Sequence, residues 1–202
     1  MIPFKAYTES KKSIYLFDMD ETLFTYDHDA LKIHVLDSAG NKVDSLTNSE
    51  FNSHKLPKGH NYDFSDFRSS DVFVKEAKPI RKMLAKMKAI SKNGQRVEIL
   101  TARGDMDDRD KFVKHLAKYG IDAYKIHVRR AGNYGMAPPE AKKHFVDQMI
   151  RKEGYNEVHL YDDSASNIRA FMTLKEMHPK VMFFGHLVKS DGKEVSIERH
   201  KK

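Results

Sequence analysis

The sequence predicts an α/β protein with a mainly parallel central sheet, and three observations predict it. Short apolar, β-prone runs alternate with stretches of helical periodicity from about residue 78 onward. Helix-length segments separate successive runs, which calls for right-handed crossovers between parallel strands. Two of the runs stop abruptly in acids, Asp18-Met19-Asp20 and Asp162-Asp163, at the strand ends where α/β sheets keep their ligands.

Taken in order, the first strand covers about residues 13–18 and ends its apolar run at Asp18. Leu31 to Leu36 alternates apolar and polar side chains, Ser38 to Asn41 is a turn signal, and Lys42 to Leu46 returns, which predicts a β-hairpin. The polar, aromatic-spotted stretch from Asn48 to Val74 matches no single element and is too long for a simple loop. Residues 25–77 are therefore expected to form a small subdomain or lid. Pro79 sits where helices begin, with Ile80, Met83, Leu84, Met87 and Ile90 at helical spacing and Asn93-Gly94 as the stop. Arg96 to Leu100 reads as a strand, Asp107 to Tyr119 as a helix, and Ala123 to Val128 as a strand. Gly132 to Gly135 is a flexible loop, and Pro138 opens a helix closed by Gly154. Val158 to Tyr161 is the next strand, and a helix runs from Ser166 or Asn167 to Met177. Val181 to Val188 is the last strand of the series, with Glu194 to Ile197 pairing back and a tail, Arg199 to Lys202, expected to fray.

A chain of 202 residues can bury one real core. Its net charge of +7 favours acidic partners such as nucleotides, nucleic acid or phosphorylated metabolites. The absence of cysteine excludes disulfides, thiolate zinc sites and cysteine nucleophiles, and fits a reducing compartment. The polar stretch Met1 to Lys12 does not read as a signal peptide, and no apolar run is as long as a membrane span. A cytoplasmic protein without membrane contact is expected. The histidines show no zinc-like spacing, and no Walker-type loop is present.

The chemistry gathers at strand ends. Asp18 and Asp20 can face one site if the strand has ended and the chain curls. One carboxylate can then act as nucleophile and the other as general acid and base, although an acidic turn would look the same. Thr101 closes a hydrophobic strand, where its hydroxyl can donate to a phosphate or merely cap a helix. Lys142 shares a helical stripe with Phe145, Val146 and Met149, so it must snorkel or meet an anion, with Lys143 as the alternative. Adjacent acids at 162 and 163 are costly without a cation, and Mg²⁺ is the natural partner. A capping Asp followed by a solvated one is the plainer alternative. Lys78, Arg81, Lys82, Lys86, Lys88, Lys92 and Arg96 mark the helix over 78–92 as a basic face, either simply solvated or a track for the phosphate backbone of nucleic acid. Arg129 and Arg130 directly follow a strand and can clamp a substrate phosphate or face water.

This combination resembles the haloacid dehalogenase-like superfamily of phosphotransferases. Asp18, Asp20 and Thr22 match its first motif, Thr101 the second, Lys142 the third and Asp162-Asp163 the fourth. The resemblance covers about residues 13–188. It implies a Rossmann-like three-layer α/β/α sandwich, with a core from residues 1–24 and 78–202 and a small cap inserted at 25–77. It makes Asp18 the nucleophile and Asp20 the general acid and base. Asp18, the main-chain carbonyl of Asp20, and Asp163 would hold Mg²⁺. Asp162 stands where the family often has Gly, and Asn167 where a further acid is common. Thr22, Arg103, Arg129 and Arg130 become candidates for substrate contact. The implied activity is phosphomonoester hydrolysis through an aspartyl-phosphate, on a nucleotide or a phosphorylated nucleic-acid end. The alternatives are a catalytically degenerate module binding nucleic acid or protein, and a transferase using an acceptor other than water. The texture is also similar to small members of the superfamily encoded by tailed bacteriophages, which would place the protein in the host cytoplasm.

Overall fold

Ser13–Phe17 (β1) lies inside a six-stranded sheet in the computed structural model, which describes residues 12–51 and 53–199. The polar stretch up to residue 11 and the tail at 200–202 lie outside the described residues, and with them the readings made there.

The chain leaves β1 through Phe24–Thr25 (β2) and forms Ile33–Leu36 (β3), Lys42–Leu46 (β4), Asn48–Phe51 (α1), Asn61–Asp63 (β5), Ser65–Arg68 (α2) and Ser70–Glu76 (α3). It returns through Lys78–Pro79 (β6), which pairs antiparallel with β2, Phe24 against Pro79 and Thr25 against Lys78. The excursion thus departs and re-enters through a two-stranded stem. The expected hairpin is β3–β4, turned by Asp37, whose carboxylate accepts from the backbone N–H of Ala39 and Asn41. β5 adds to the other edge of β3, giving a three-stranded antiparallel sheet. Pro79 is not the helix start expected of it, because it is spent in the stem.

Then follow Arg81–Lys92 (α4), Arg96–Thr101 (β7), Arg109–Lys118 (α5), Val128–Arg130 (β8), a 3-10 turn at Ala131–Tyr134, Pro138–Glu153 (α6), Glu157–Asp162 (β9), Ala165–Met172 (α7), Leu174–Met177 (α8), Met182–Val188 (β10) and Glu194–Arg199 (β11). Pro138 opens α6, and Gly154 closes it at φ 71°, a conformation that costs glycine little. The strand expected over Ala123–Val128 is corrected: only Val128–Arg130 pairs, and the residues before it turn. Asp122 is the reason. Its carbonyl accepts from Lys125 N and Ile126 N, and its carboxylate from Tyr124 N, so these donors are satisfied locally. The helix expected to reach Met177 breaks at Thr173 into α7 and α8.

The strand order is β11-β10-β9-β1-β7-β8, parallel throughout except for β11 against β10. One face packs Phe17, Val97, Ile99 and Tyr161 against α4 and α5 through Met83, Met87, Phe112 and Leu116. The other packs Leu16, Val158, Leu160 and Phe183 against α6 and α7 through Val146, Met149, Ile168 and Phe171. Phe73 of α3 is fully buried in the first of these cores, so the end of the excursion belongs to the main body by packing. From β1 the chain winds outward to β7 and β8, then crosses back to β9 and β10. The winding reverses between β1 and β9, the kind of point beyond whose strand ends open α/β sheets bind ligands.

Candidate functional site

β1 ends at Phe17, and the backbone N–H of Asp18 donates to Tyr161 O at 2.8 Å, extending the ladder with β9 by one residue. That bond sets Asp18 beside Asp162, the last residue of β9. The chain then curls. Leu23 N and Phe24 N both donate to Met19 O, and Glu21 is held at φ 55°, a left-handed conformation costly for a residue with a Cβ. This is the curl needed for Asp18 and Asp20 to share one site, and the Asp20 charge acts on Asp18.

Lys142 reaches the site from the first turns of α6 and is 1 % exposed. Its Nζ lies 2.8 Å from Asp18 Oδ1 and 2.7 Å from Asp162 Oδ2. Burial opposes its charge, but Asp162 and Asp18 outweigh burial and raise its pKa. Lys143, the alternative, instead lines a surface groove with Met136, His144 and Met177. Asp162 is wholly buried and saturated. Besides Lys142, it accepts from Ser164 N at 2.9 Å and from Asn167 Nδ2 at 2.9 and 3.1 Å. Sequence reasoning marked Asn167 only as an absent acid, yet its amide holds Asp162 in place. A Ser-x-x-Asn start to α7, with Ser164 accepting from Asn167 N, was the available signal.

Ligand atoms of Asp18, Asp162 and Asp163 all lie within 4.8 Å of one another. Three carboxylates against one ammonium leave an excess of two negative charges. Burial, opposed by Lys142 but joined by Asp162, Asp163 and Asp20, pushes the Asp18 carboxyl well above the usual carboxylate range. Asp18 Oδ1 has the Lys142 charge beside it but no directed hydrogen bond among the described residues. Asp163 is exposed at the mouth, yet partial removal from water and the Asp162 charge push it up to about 7. Clustered carboxylates outnumbering the one ammonium, with two of the acids raised in pKa, suit a divalent cation with oxygen ligands. Asp18 and Asp163 have capacity for one, whereas Asp162 is committed to its donors.

Thr101 ends β7 fully buried, and its Oγ1 accepts from Arg103 N at 3.1 Å, which leaves its own proton free to donate. The four residues proposed for substrate contact fare differently. Thr22 is enclosed, with no exposed surface and no partner for its hydroxyl among the described residues. Arg103 is also enclosed and grips Asp20, with Nε 3.1 and 2.9 Å from Oδ1 and Oδ2 and Nη2 2.8 Å from Oδ1. Arg129 is taken by buried Glu98, with Nε 2.6 Å from Oε2. Arg130 stands opposite Thr101 in the β7–β8 register and pairs with Asp105 at 3.2 Å. Thr22 and Arg103 are thus enclosed, and Arg103, Arg129 and Arg130 each pair with an acid of the chain. On the basic helix, Lys86 pairs with Glu194, while Arg81, Lys82, Lys88 and Lys92 are exposed.

Among the described residues no helix is long and apolar enough to cross a membrane. No protein-family model matches the chain, and no curated protein matches it.

Proposed function

We propose that the protein is a Mg²⁺-dependent phosphohydrolase of the haloacid dehalogenase-like type, working through an aspartyl-phosphate on Asp18. One observation carries the reading: the Lys142 ammonium sits between Asp18 and Asp162, with Asp163 alongside, where the sheet reverses its winding. In the first step an Asp18 oxygen attacks phosphorus. The ester P–O bond breaks, its electron pair stays on the departing oxygen, and that oxygen takes a proton from Asp20. In the second step Asp20 takes a proton from water, whose oxygen attacks phosphorus. The bond from Asp18 to phosphorus breaks, regenerating the carboxylate and releasing inorganic phosphate. Lys142 offsets charge around Asp18 throughout, and the Thr101 hydroxyl donates to a phosphoryl oxygen. Asp18, Asp163 and the Asp20 main-chain carbonyl would hold Mg²⁺, which when bound supplies charge neutralisation at the phosphoryl oxygens.

The excursion on its β2–β6 stem acts as a small cap over this site. The exposed cations of α4 and the net charge of +7 favour a nucleotide or a phosphorylated nucleic-acid end as substrate. The test is a screen of p-nitrophenyl phosphate, nucleoside monophosphates, 3′-phosphorylated oligonucleotides and sugar phosphates, with EDTA and then with Mg²⁺. Metal-dependent turnover is expected, highest on the nucleotide-like esters. No metal-dependent turnover on any of them sinks the proposal.

A further inference from the structure

We infer that Arg103 is a positioning residue that aims Asp20, and that the excursion at 25–77 sets Arg103. This rests on the phosphohydrolase reading and adds to it the device that orients the proton-transferring carboxylate. Asp20 and Arg103 are 83 residues apart in sequence and meet in a fork of three hydrogen bonds. A planar guanidinium in that geometry fixes a carboxylate in orientation as well as place. The Arg103 side chain is 1 % exposed while that of Asp20 is 19 % exposed, so Asp20 is gripped from within and open on its other side.

The remaining grip on the guanidinium comes from the excursion. Nη1 donates to Phe67 O at 2.8 Å and Nη2 to the Tyr26 hydroxyl at 3.0 Å. The rings of Tyr26, Phe67 and Phe73 stand 5.5, 5.3 and 5.5 Å from the guanidinium carbon, within cation–π range. The backbone beneath is braced as well. A Cβ added to Gly132 would lie 2.2 Å from Ala102 O, so the 3-10 turn presses directly on the loop that carries Arg103. The excursion thus holds the guanidinium while the 3-10 turn braces its backbone, and Arg103 in turn holds Asp20.

A proton donor matters most when the leaving oxygen is a poor one. Pre-steady-state kinetics on the full chain with Mg²⁺ should compare an alkyl phosphate with an aryl phosphate bearing a good leaving group. Arg103→Lys is expected to slow the first step about 10²-fold on the alkyl ester, with little change in the burst of phenol from the aryl ester. Asp20→Asn should show the same dependence, and adding Arg103→Lys to it should cost nothing more. Tyr26→Phe removes one hydroxyl from the grip and should give the same pattern at about fivefold, which decides the matter if Arg103→Lys does not fold. Equal losses on both esters, or multiplying losses in the double variant, overturn the inference. Absence of Mg²⁺-dependent turnover in the unaltered protein overturns the underlying reading instead.

Discussion

Two buried acidic networks lie close together in the sheet, and they are balanced in opposite ways. Glu98, in the middle of β7, is fully buried and receives hydrogen bonds from both Arg96 and Arg129. Burial alone would raise its pKa, but the bonds from Arg129 and Arg96 win and lower it. Asp18, one residue past β1, is also buried, yet its neighbourhood holds more carboxylates than cations and its pKa is raised. The first network is closed and has no capacity for a ligand. The second is short of cations, and folding has enclosed an excess of carboxylates that a divalent cation would relieve. A buried ion pair alone says little about function, whereas an uncompensated one at a sheet's switch point is informative.

The sharpest way to break this contrast is to neutralise one acid in each network. Asp18→Asn is expected to lower turnover by at least about 10³-fold while raising the melting temperature, since it removes a carboxylate that folding disfavours. Glu98→Gln should do the reverse, costing about 2 kcal/mol in urea unfolding and leaving turnover intact. If both variants lose activity alike, the two networks are not different in kind.

Next in size is Lys142. Lys142→Met leaves three carboxylates facing one another, so turnover should fall at least about 10²-fold and stability with it. Lys143→Ala should stay near the unaltered protein in both assays. The ordering reverses if Lys143 is the working group.

Acidity should separate the networks further. Asp163 at about 7 and the raised Asp18 bind more protons folded than unfolded, where the reference value is 3.8. Their contribution to stability is therefore full below the unfolded value and is lost as pH rises through about 7. The metal-free protein should melt lower at pH 8 than at pH 6, and Mg²⁺ should reduce or reverse that difference by favouring the ionised acids. Glu98, with its lowered pKa, contributes in the opposite sense, and its share is lost only in acid. Thermal melts across pH with and without Mg²⁺ measure both. A slope unaffected by Mg²⁺ would falsify the cation site.

The smallest expected effect lies outside both networks. His115 is buried between Phe73 and Tyr119, and neither ring nitrogen has a hydrogen-bond partner among the described residues. Burial and the nearby Lys118 lower its pKa below 6.5. It therefore favours the folded state above pH 6.5, and that contribution fades as the pH drops below it. His115→Phe should flatten the stability profile there by about 1 kcal/mol or less, with turnover unchanged.

Much of this arrangement is legible along the chain because its causes are local. The apolar run ending at Asp18 announces a strand, since a segment buried on both faces must be largely apolar on both, and Val158 and Leu160 alternate in the one ending at Asp162. The stripe shared by Lys142, Val146 and Met149 puts Lys142 on the apolar face, where it must snorkel or meet an anion, and the structure buries it against Asp18 and Asp162. The strand misplaced before Val128 shows the limit of local reading. One residue, Asp122, captured through its carbonyl and its carboxylate the donors that an apolar alternation offered to a neighbouring strand.

The chain alone determined which acids would stand at strand ends and that a lysine would share a helix's apolar stripe. Tertiary structure decided how the charges are shared. Asp162 turns inward to Lys142, 20 residues away, while Asp163 stays at the mouth, and Arg103 grips an acid 83 residues before it. Periodicity is a property of neighbouring residues and can be read from them. Which cation meets which carboxylate depends on where the sheet brings distant segments together, and on how little water remains between them once it has.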